Sequence, residues 1–253
     1  MSNAYRMDQI YTLLLRKGSA TVTELAEQFQ VTPTTIRRDL LEMEERNMIY
    51  RTRGSAFLRG SGYADSASRV NVFAEEKKRI AAAAAKFIST GMSIALDSGS
   101  TVSTLAAQLI GDESLGNIDF ITHSPEIALQ ISKRFNVSIP GGSITPNNEF
   151  MVGVEVEEFY KKINVDISFL GSTGVFNCSG LTVSYPLQLP VKKYSALCGD
   201  KRVALLDSSK YTRRGIYVFC EFSELDTLIT VETEENKPQL ERIAKQGVDI
   251  ILV

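Results

Sequence analysis

The chain has 253 residues, 43% apolar and 23% charged, an ordinary balance that excludes a chain disordered throughout. Its 28 Lys+Arg against 30 Asp+Glu leave a formal net charge of −2, so nucleic-acid binding has no global basis and must rest on a local patch. Three cysteines without a C-x-x-C pair (Cys178, Cys198, Cys220) and one histidine (His123) cannot assemble a zinc set, and no metal or cofactor is expected.

Met1 to Arg16 is polar and amphipathic, unlike a secretory leader. The longest apolar run, near Ile80 to Ile88, is alanine-rich, interrupted by Lys86 and too short to cross a bilayer. A cytoplasmic chain with reduced cysteines and no membrane contact is the expectation.

The first helix spans about Tyr5 to Arg16, turning Ile10, Leu13 and Leu14 to a core, and Gly18 stops it. Thr21-Val22-Thr23-Glu24 fits a capping box, threonine followed three residues later by glutamate. It opens a short helix with Leu25, Ala26 and Phe29 inside. After a tight turn at Val31, Thr32-Pro33 fits an N-cap followed by proline at the first helical position, where its missing N–H costs nothing. The third helix runs to about Arg46 and buries Ile36, Leu40 and Met43, spaced three and four apart.

Two short helices joined by a tight turn form a helix-turn-helix, whose second helix enters the major groove. Its exposed start carries Thr32, Thr34, Thr35, Arg37 and Arg38, hydroxyls and guanidinium groups suited to phosphates and guanine edges. Met48 to Phe57 reads as a β-wing, with Arg51 and Arg53 projecting from one side of a strand. Residues 1–57 hold eight Lys+Arg against seven Asp+Glu, a net of +1, so arrangement carries the DNA-binding case. Glu42, Glu44 and Glu45 lie towards the far end of the third helix, whereas Arg37, Arg38, Arg51 and Arg53 gather at the proposed DNA face. The same module could instead serve protein association.

Composition changes near residue 60, and residues 58–74 read as a small, polar linker without periodicity between a domain at 1–57 and one at 75–253. Beyond it, short strand-like runs recur at 94–96, 118–121, 137–139, 167–170, 203–206, 227–230 and 249–252. Helical segments at 75–89, 101–110, 125–133 and 237–246 separate several of them. This alternation predicts an α/β fold with a mostly parallel sheet and helices on both faces. Leu96-Asp97-Ser98-Gly99-Ser100-Thr101 is a strand running into a Gly/Ser/Thr loop that opens a helix, an arrangement that can hold an anion on backbone N–H groups or merely cap the helix.

Thr35-Ile36-Arg37-Arg38-Asp39-Leu40 followed by Arg51-Thr52-Arg53-Gly54-Ser55-Ala56 resembles the DeoR family of bacterial sugar-metabolism regulators, with Ser55 where a second glycine is usual. The likeness continues through Asp97-Ser98-Gly99-Ser100-Thr101, Gly141-Gly142, the Asp166–Gly174 run, Gly180-Leu181-Thr182 and Asp207-Ser208-Ser209-Lys210, covering residues 5 to 253. It implies a winged helix-turn-helix joined to an α/β domain similar in fold to ribose-5-phosphate isomerase, and a sensor for a phosphorylated sugar or related metabolite. On that resemblance Gly99, Ser100 and Thr101, with Ser98, would hold the phosphate, and Lys210 would add a point charge beside Asp207. Asp97 would accept from sugar hydroxyls, while Gly141, Gly142, Gly171, Thr173 and Gly174 would line the pocket. Glycines there also fit plain tight turns.

Two departures bear on the effector. Thr122-His123 stands where the family usually has Thr-Asn, placing the one histidine near the proposed pocket. Gln188 replaces the glutamate the family often carries four residues before a lysine, here Lys192, with Pro186 and Pro190 at that helix start. The resemblance implies a regulator, a repressor of a carbohydrate-metabolism operon released by its effector, working as a symmetric dimer or tetramer on operator DNA. The alternative is a sugar-phosphate isomerase-like enzyme fused to a winged helix. That enzyme would need a carboxylate base over the sugar, and Asp97, Asp166 and Asp207 form no evident acid/base pair.

Overall fold

In the computed structural model, which describes residues 2–17, 19–46, 48–52, 55–58, 73–145 and 150–253, the chain divides into two units, Met1–Val72 and Phe73–Val253. The first holds α1 (Asn3–Lys17), β1 (Ser19–Thr21), α2 (Val22–Phe29), α3 (Pro33–Glu45), β2 (Ile49–Thr52) and β3 (Ser55–Leu58). The caps set these boundaries. Thr21 and Glu24 close a full capping box at α2, and Gln30 ends that helix in the left-handed region at φ 52°. Thr32 then caps α3, with Pro33 at its start. Ile10, Leu14, Leu25, Ile36, Leu40, Met43 and Ile49 are all but fully enclosed and form the core of this unit.

The wing strands are joined by a third: Ser19–Thr21 pairs with Ser55–Phe57, giving a three-stranded antiparallel sheet in the order β1-β3-β2. Leu58 pairs with Ile49 and so belongs to β3, and Ala74 already lies in the next helix, so the linker is shorter at both ends than residues 58–74. Gly18, Arg53, Gly54 and residues 59–72 fall outside the described residues.

The second unit begins with α4 (Ala74–Ala85), then β4 (Ser93–Leu96), α5 (Ser100–Ile110), β5 (Asp119–Thr122), α6 (Pro125–Ile131) and β6 (Asn136–Ser138). A small hairpin of β7 (Ser143–Ile144) and β8 (Met151–Val152) leads to α7 (Val154–Tyr160), β9 (Val165–Leu170), β10 (Gly180–Val183), α8 (Gln188–Leu197) and β11 (Gly199–Leu206). A 3-10 turn (Ser208–Thr212), β12 (Tyr217–Glu221), β13 (Thr227–Thr230), α9 (Lys237–Ala244) and β14 (Asp249–Leu252) complete it. Seven strands form one sheet in the order β14-β13-β11-β9-β4-β5-β6, every pairing parallel. The α/β architecture with a mostly parallel sheet expected from the alternation is therefore the architecture found.

Side chains of successive residues leave a strand on opposite faces. Ile94, Leu96, Val203 and Leu205 pack in one core with α4, α5 and α6, whereas Ala95 packs with α7 and Ala204 and Leu206 with α8 and α9 on the other side. Helices cover both faces, which is what lets the central strands be apolar throughout. Gly180–Val183 and Tyr217–Glu221 form a separate antiparallel pair, β10 with β12. From β4 the chain builds outward through β5 and β6, then returns to add β9, β11, β13 and β14 on the other flank. The strand order thus reverses between β4 and β9, and in open α/β sheets the crevice beyond the carboxyl ends at such a reversal is where ligands sit.

Candidate functional site

α3 presents the first candidate surface. Thr32, Thr34, Arg37 and Arg38 are exposed and Thr35 is half-buried. The Thr35 N–H donates to Thr32 Oγ1 at 3.2 Å, and the two hydroxyls are 3.0 Å apart, so both threonines are partly committed to closing their own helix. Asp39, in the middle of the same motif, is wholly buried and pairs with Arg6 of α1, Nε–Oδ2 2.5 Å and Nη2–Oδ1 3.0 Å. It orients no arginine of its own helix; it ties α3 to α1 and fixes the angle at which the exposed arginines stand.

The acids are not segregated from the arginines as expected. Glu44 clasps Arg51 of β2, taking its backbone N–H at 3.2 Å, Nε at 2.7 Å and Nη2 at 2.6 Å. Helix and wing lie close enough for a carboxylate on the last turn of α3 to reach the strand. Glu42 likewise pairs with Arg46 and accepts from Asn3. Among the described residues, Arg37 and Arg38 are the exposed arginines on the forward part of α3.

The second candidate lies at the carboxyl edge of the large sheet. α5 opens on Gly99, at φ 128°, a backbone conformation that L side chains rarely adopt, and no side chain caps the helix. The first intrahelical bond runs from Ser103 N–H to Gly99 O, leaving the N–H groups of Ser100, Thr101 and Val102 ahead of it. Those donors and the positive end of the helix dipole suit an anion. Ser98, Ser100 and Thr101 are buried and Gly99 half-buried, so the loop is sheltered by its surroundings.

Asp97 organises this loop. Oδ1 accepts the Ser98 N–H at 2.8 Å and faces His123 Nε2 at 3.3 Å; Oδ2 accepts the Gly171 N–H at 2.8 Å and Lys192 Nζ at 2.7 Å. A carboxylate offers about four lone-pair sites, and these partners fill them. In this arrangement Asp97 pins together the loops after β4 and β9. Burial would raise its carboxyl, but the Lys192 charge and the His123 contact outweigh that and hold it below the usual range.

Lys192, 5% exposed, also donates to Gly171 O at 3.1 Å, and its ammonium stands 5.2 Å from the Phe219 ring centroid. His123, 1% exposed, has its Nδ1 3.0 Å from the Tyr160 hydroxyl. Burial, reinforced by nearby Cys198 and Asp97, raises the Tyr160 phenol well above its ordinary value, so it stays protonated beside the ring. Lys192 and His123, both buried, thus support the loops around Asp97. Gly171 permits this closeness, since a Cβ there would lie 3.2 Å from Ser98 O.

The other expected residues distribute along the same edge. Thr173 N–H donates to Thr182 O, and Gly174 O accepts from the hydroxyls of Ser172 and Thr182. Gly141 and Gly142 are exposed beyond β6, with Gly142 folded against Val152. Asp207 caps the 3-10 turn through Ser209, and the Lys210 N–H returns to Asp207 O. Burial pushes the Asp207 carboxyl up, yet the charges of Lys210 and Lys77 dominate and set it at about 2. Lys210 is half-buried in that turn.

Sequence reasoning missed Arg6, Tyr160, Lys77 and Glu76. A signal existed for three of them. Arg6 shares a helix face with Ile10 and Leu14, Lys77 with Ile80, Ala81 and Ala84, and Tyr160 with Val156. A charged or polar residue inside an apolar stripe must be buried with a partner.

Family comparisons agree with this division. The DeoR-like helix-turn-helix domain matches residues 6–61 and the DeoR C terminal sensor domain residues 72–232. The HTH-type transcriptional regulator GlpR of Haloferax volcanii is 30% identical over 254 residues, covering 99% of this chain and 98% of that protein. The HTH-type transcriptional repressor GlcR of Bacillus subtilis is 28% identical, covering 98% and 95%, and the glycerol-3-phosphate regulon repressor of Escherichia coli is 28% identical, covering 91% of each. These relatives are regulators and repressors by name, not enzymes, which sets the isomerase alternative aside. A D-ribose-5-phosphate isomerase structure in complex with phospho-erythronic acid aligns with 55% of this chain and 54% of its own at 19% identity and a TM-score of 0.42, too distant to carry an argument. With both family domains matched in order and a relative aligned end to end, the chain belongs to the DeoR family of transcriptional regulators, joining its helix-turn-helix domain to its sensor domain.

Proposed function

We propose that this chain represses a carbohydrate-metabolism operon in the cytoplasm, reading operator DNA with the start of α3, through Thr32, Thr34, Thr35, Arg37 and Arg38, and with the wing that carries Arg51 and Arg53. A phosphorylated sugar or related metabolite bound at the carboxyl edge of the second unit releases it. The phosphate rests on the N–H groups at Ser100, Thr101 and Val102, with Lys210 adding a point charge. Asp97, Lys192 and His123 hold the loops that form the site. The working form is a symmetric dimer or tetramer, which matches paired half-sites.

The observation that carries this reading is the uncapped start of α5 at the reversal of strand order, where Gly99 supplies no side chain of its own. Thermal unfolding with glycerol 3-phosphate and with pentose and hexose phosphates tests it, each beside its unphosphorylated counterpart. A ligand that binds only the folded state at about 100 times its Kd stabilises by roughly 2.7 kcal/mol. We expect one phosphorylated compound to raise Tm while its counterpart does not; equal shifts, or none, remove the phosphate site. On the DNA side, Arg37→Ala should weaken duplex binding about tenfold and lower the salt slope by about one. Unchanged affinity would relocate the reading face.

A further inference from the structure

The chain enters the second unit at the edge that carries the candidate site. α4 precedes β4 and therefore starts beside the carboxyl ends of the strands; its first turn touches the loop after β11. Glu76 accepts the Ser208 N–H at 2.8 Å and the Ser208 Oγ–H at 2.9 Å. Lys77, 3% exposed on the next residue, bears its charge on Asp207. Phe73, just before the helix, is buried at φ 56°, a conformation bulky residues avoid and keep only where the surroundings hold them; the Lys77 N–H closes onto its carbonyl at 3.0 Å.

Ser208 and Lys210 share one five-residue 3-10 turn capped by Asp207. So short a turn cannot shift at Lys210 without moving Ser208, and packed elements of this kind change by discrete steps rather than by bending. We infer that the first turn of α4 and the 208–212 turn form a latch, joined by Glu76 and Ser208, that couples the state of the sensor edge to the segment leading to the DNA-binding unit. The inference rests on the proposed placement of an anion near Lys210. The closed latch is the DNA-competent state; occupancy at Lys210 opens it.

The test needs no ligand. Full-length wild type, Glu76→Gln, Ser208→Ala and the double variant are titrated against a fluorescent duplex that the wild type has selected from a random pool. Lys78→Gln, on the exposed side of the same helix turn, serves as control. Each single variant should weaken duplex binding at least threefold, the double variant no more than the stronger single, and the control not at all, because residues sharing one interaction are not additive. Unchanged or tighter binding by both singles, or fully additive losses, would overturn the latch. Ser208→Ala removes one hydroxyl and keeps the fold testable if Glu76→Gln does not. If no phosphorylated compound stabilises the wild type while these variants still lose DNA affinity, the phosphate site fails and the latch stands; the converse separates them equally well.

Discussion

The two helices that carry the candidate contacts begin in opposite ways. α3 is closed by its own Thr32 hydroxyl, whereas α5 opens on Gly99 with no side-chain cap among the described residues. A self-capped helix is finished before any partner arrives and offers side chains; an uncapped one offers backbone donors and gains from an anion. A buried carboxylate serves each helix, again used differently. Asp39 serves one arginine on another helix, while Asp97 serves two cationic or imidazole partners and two backbone N–H groups from separate loops. The first carboxylate orients a rigid element. The second assembles a site from loops that would not otherwise meet.

The largest effects should come from breaking these two anchors. Arg6→Ala leaves Asp39 buried without its guanidinium partner, and Lys192→Met takes the one lysine charge from buried Asp97, each costing about 3–5 kcal/mol. The comparison is sharpened by where the loss appears in hydrogen exchange: confined to α1 and α3 for Arg6→Ala, and spread over the loops at 98–101 and 171–174 for Lys192→Met. If Lys192→Met leaves those loops as protected as in wild type, Asp97 is a core anchor like Asp39 and no more.

Acid should act on the sensor edge next. The folded Asp207 carboxyl lies at about 2 against an ordinary 3.8, so its contribution is full above about pH 4 and fades as the pH falls through 3.8 towards 2. That shift corresponds to about 2 kcal/mol. Asp207→Asn should remove this part of the acid limb of stability, and parallel acid unfolding of variant and wild type would contradict it.

The smallest effects probe the helix starts themselves. Thr32→Ala should cost about 1 kcal/mol of stability in the first unit, read as a lowered unfolding midpoint. Gly99→Ala forces a methyl-bearing residue to φ 128° and should cost about 1–3 kcal/mol. It should also reduce any phosphate-induced rise in Tm, which Thr32→Ala should leave alone. An undiminished rise would mean that the start of α5 is only a turn.

Much of this was legible in the chain. Caps are local, so Thr21-x-x-Glu24 and Thr32-Pro33 placed α2 and α3 directly. All seven strands of the large sheet were visible as short apolar runs, most plainly the central ones, because strands buried on both faces need apolar residues. Small elements were not: β1, β7, β8 and α7 are short, and their pairing or packing partners lie elsewhere in the chain. The placement of charge was harder still. Arg51 reads as a free wing arginine until Glu44 is found seven residues away in sequence but within hydrogen-bond reach.

Sequence alone thus determined the helix-turn-helix, the alternating α/β order and the Gly99 loop, since each depends on residues within a few positions of one another. Only the tertiary structure decided that Asp97, His123 and Lys192 support the candidate site from beneath, and that α4 reports to Ser208. The partners of Asp97 lie 26, 74 and 95 residues along the chain, and a buried charge takes its role from whatever the fold packs against it.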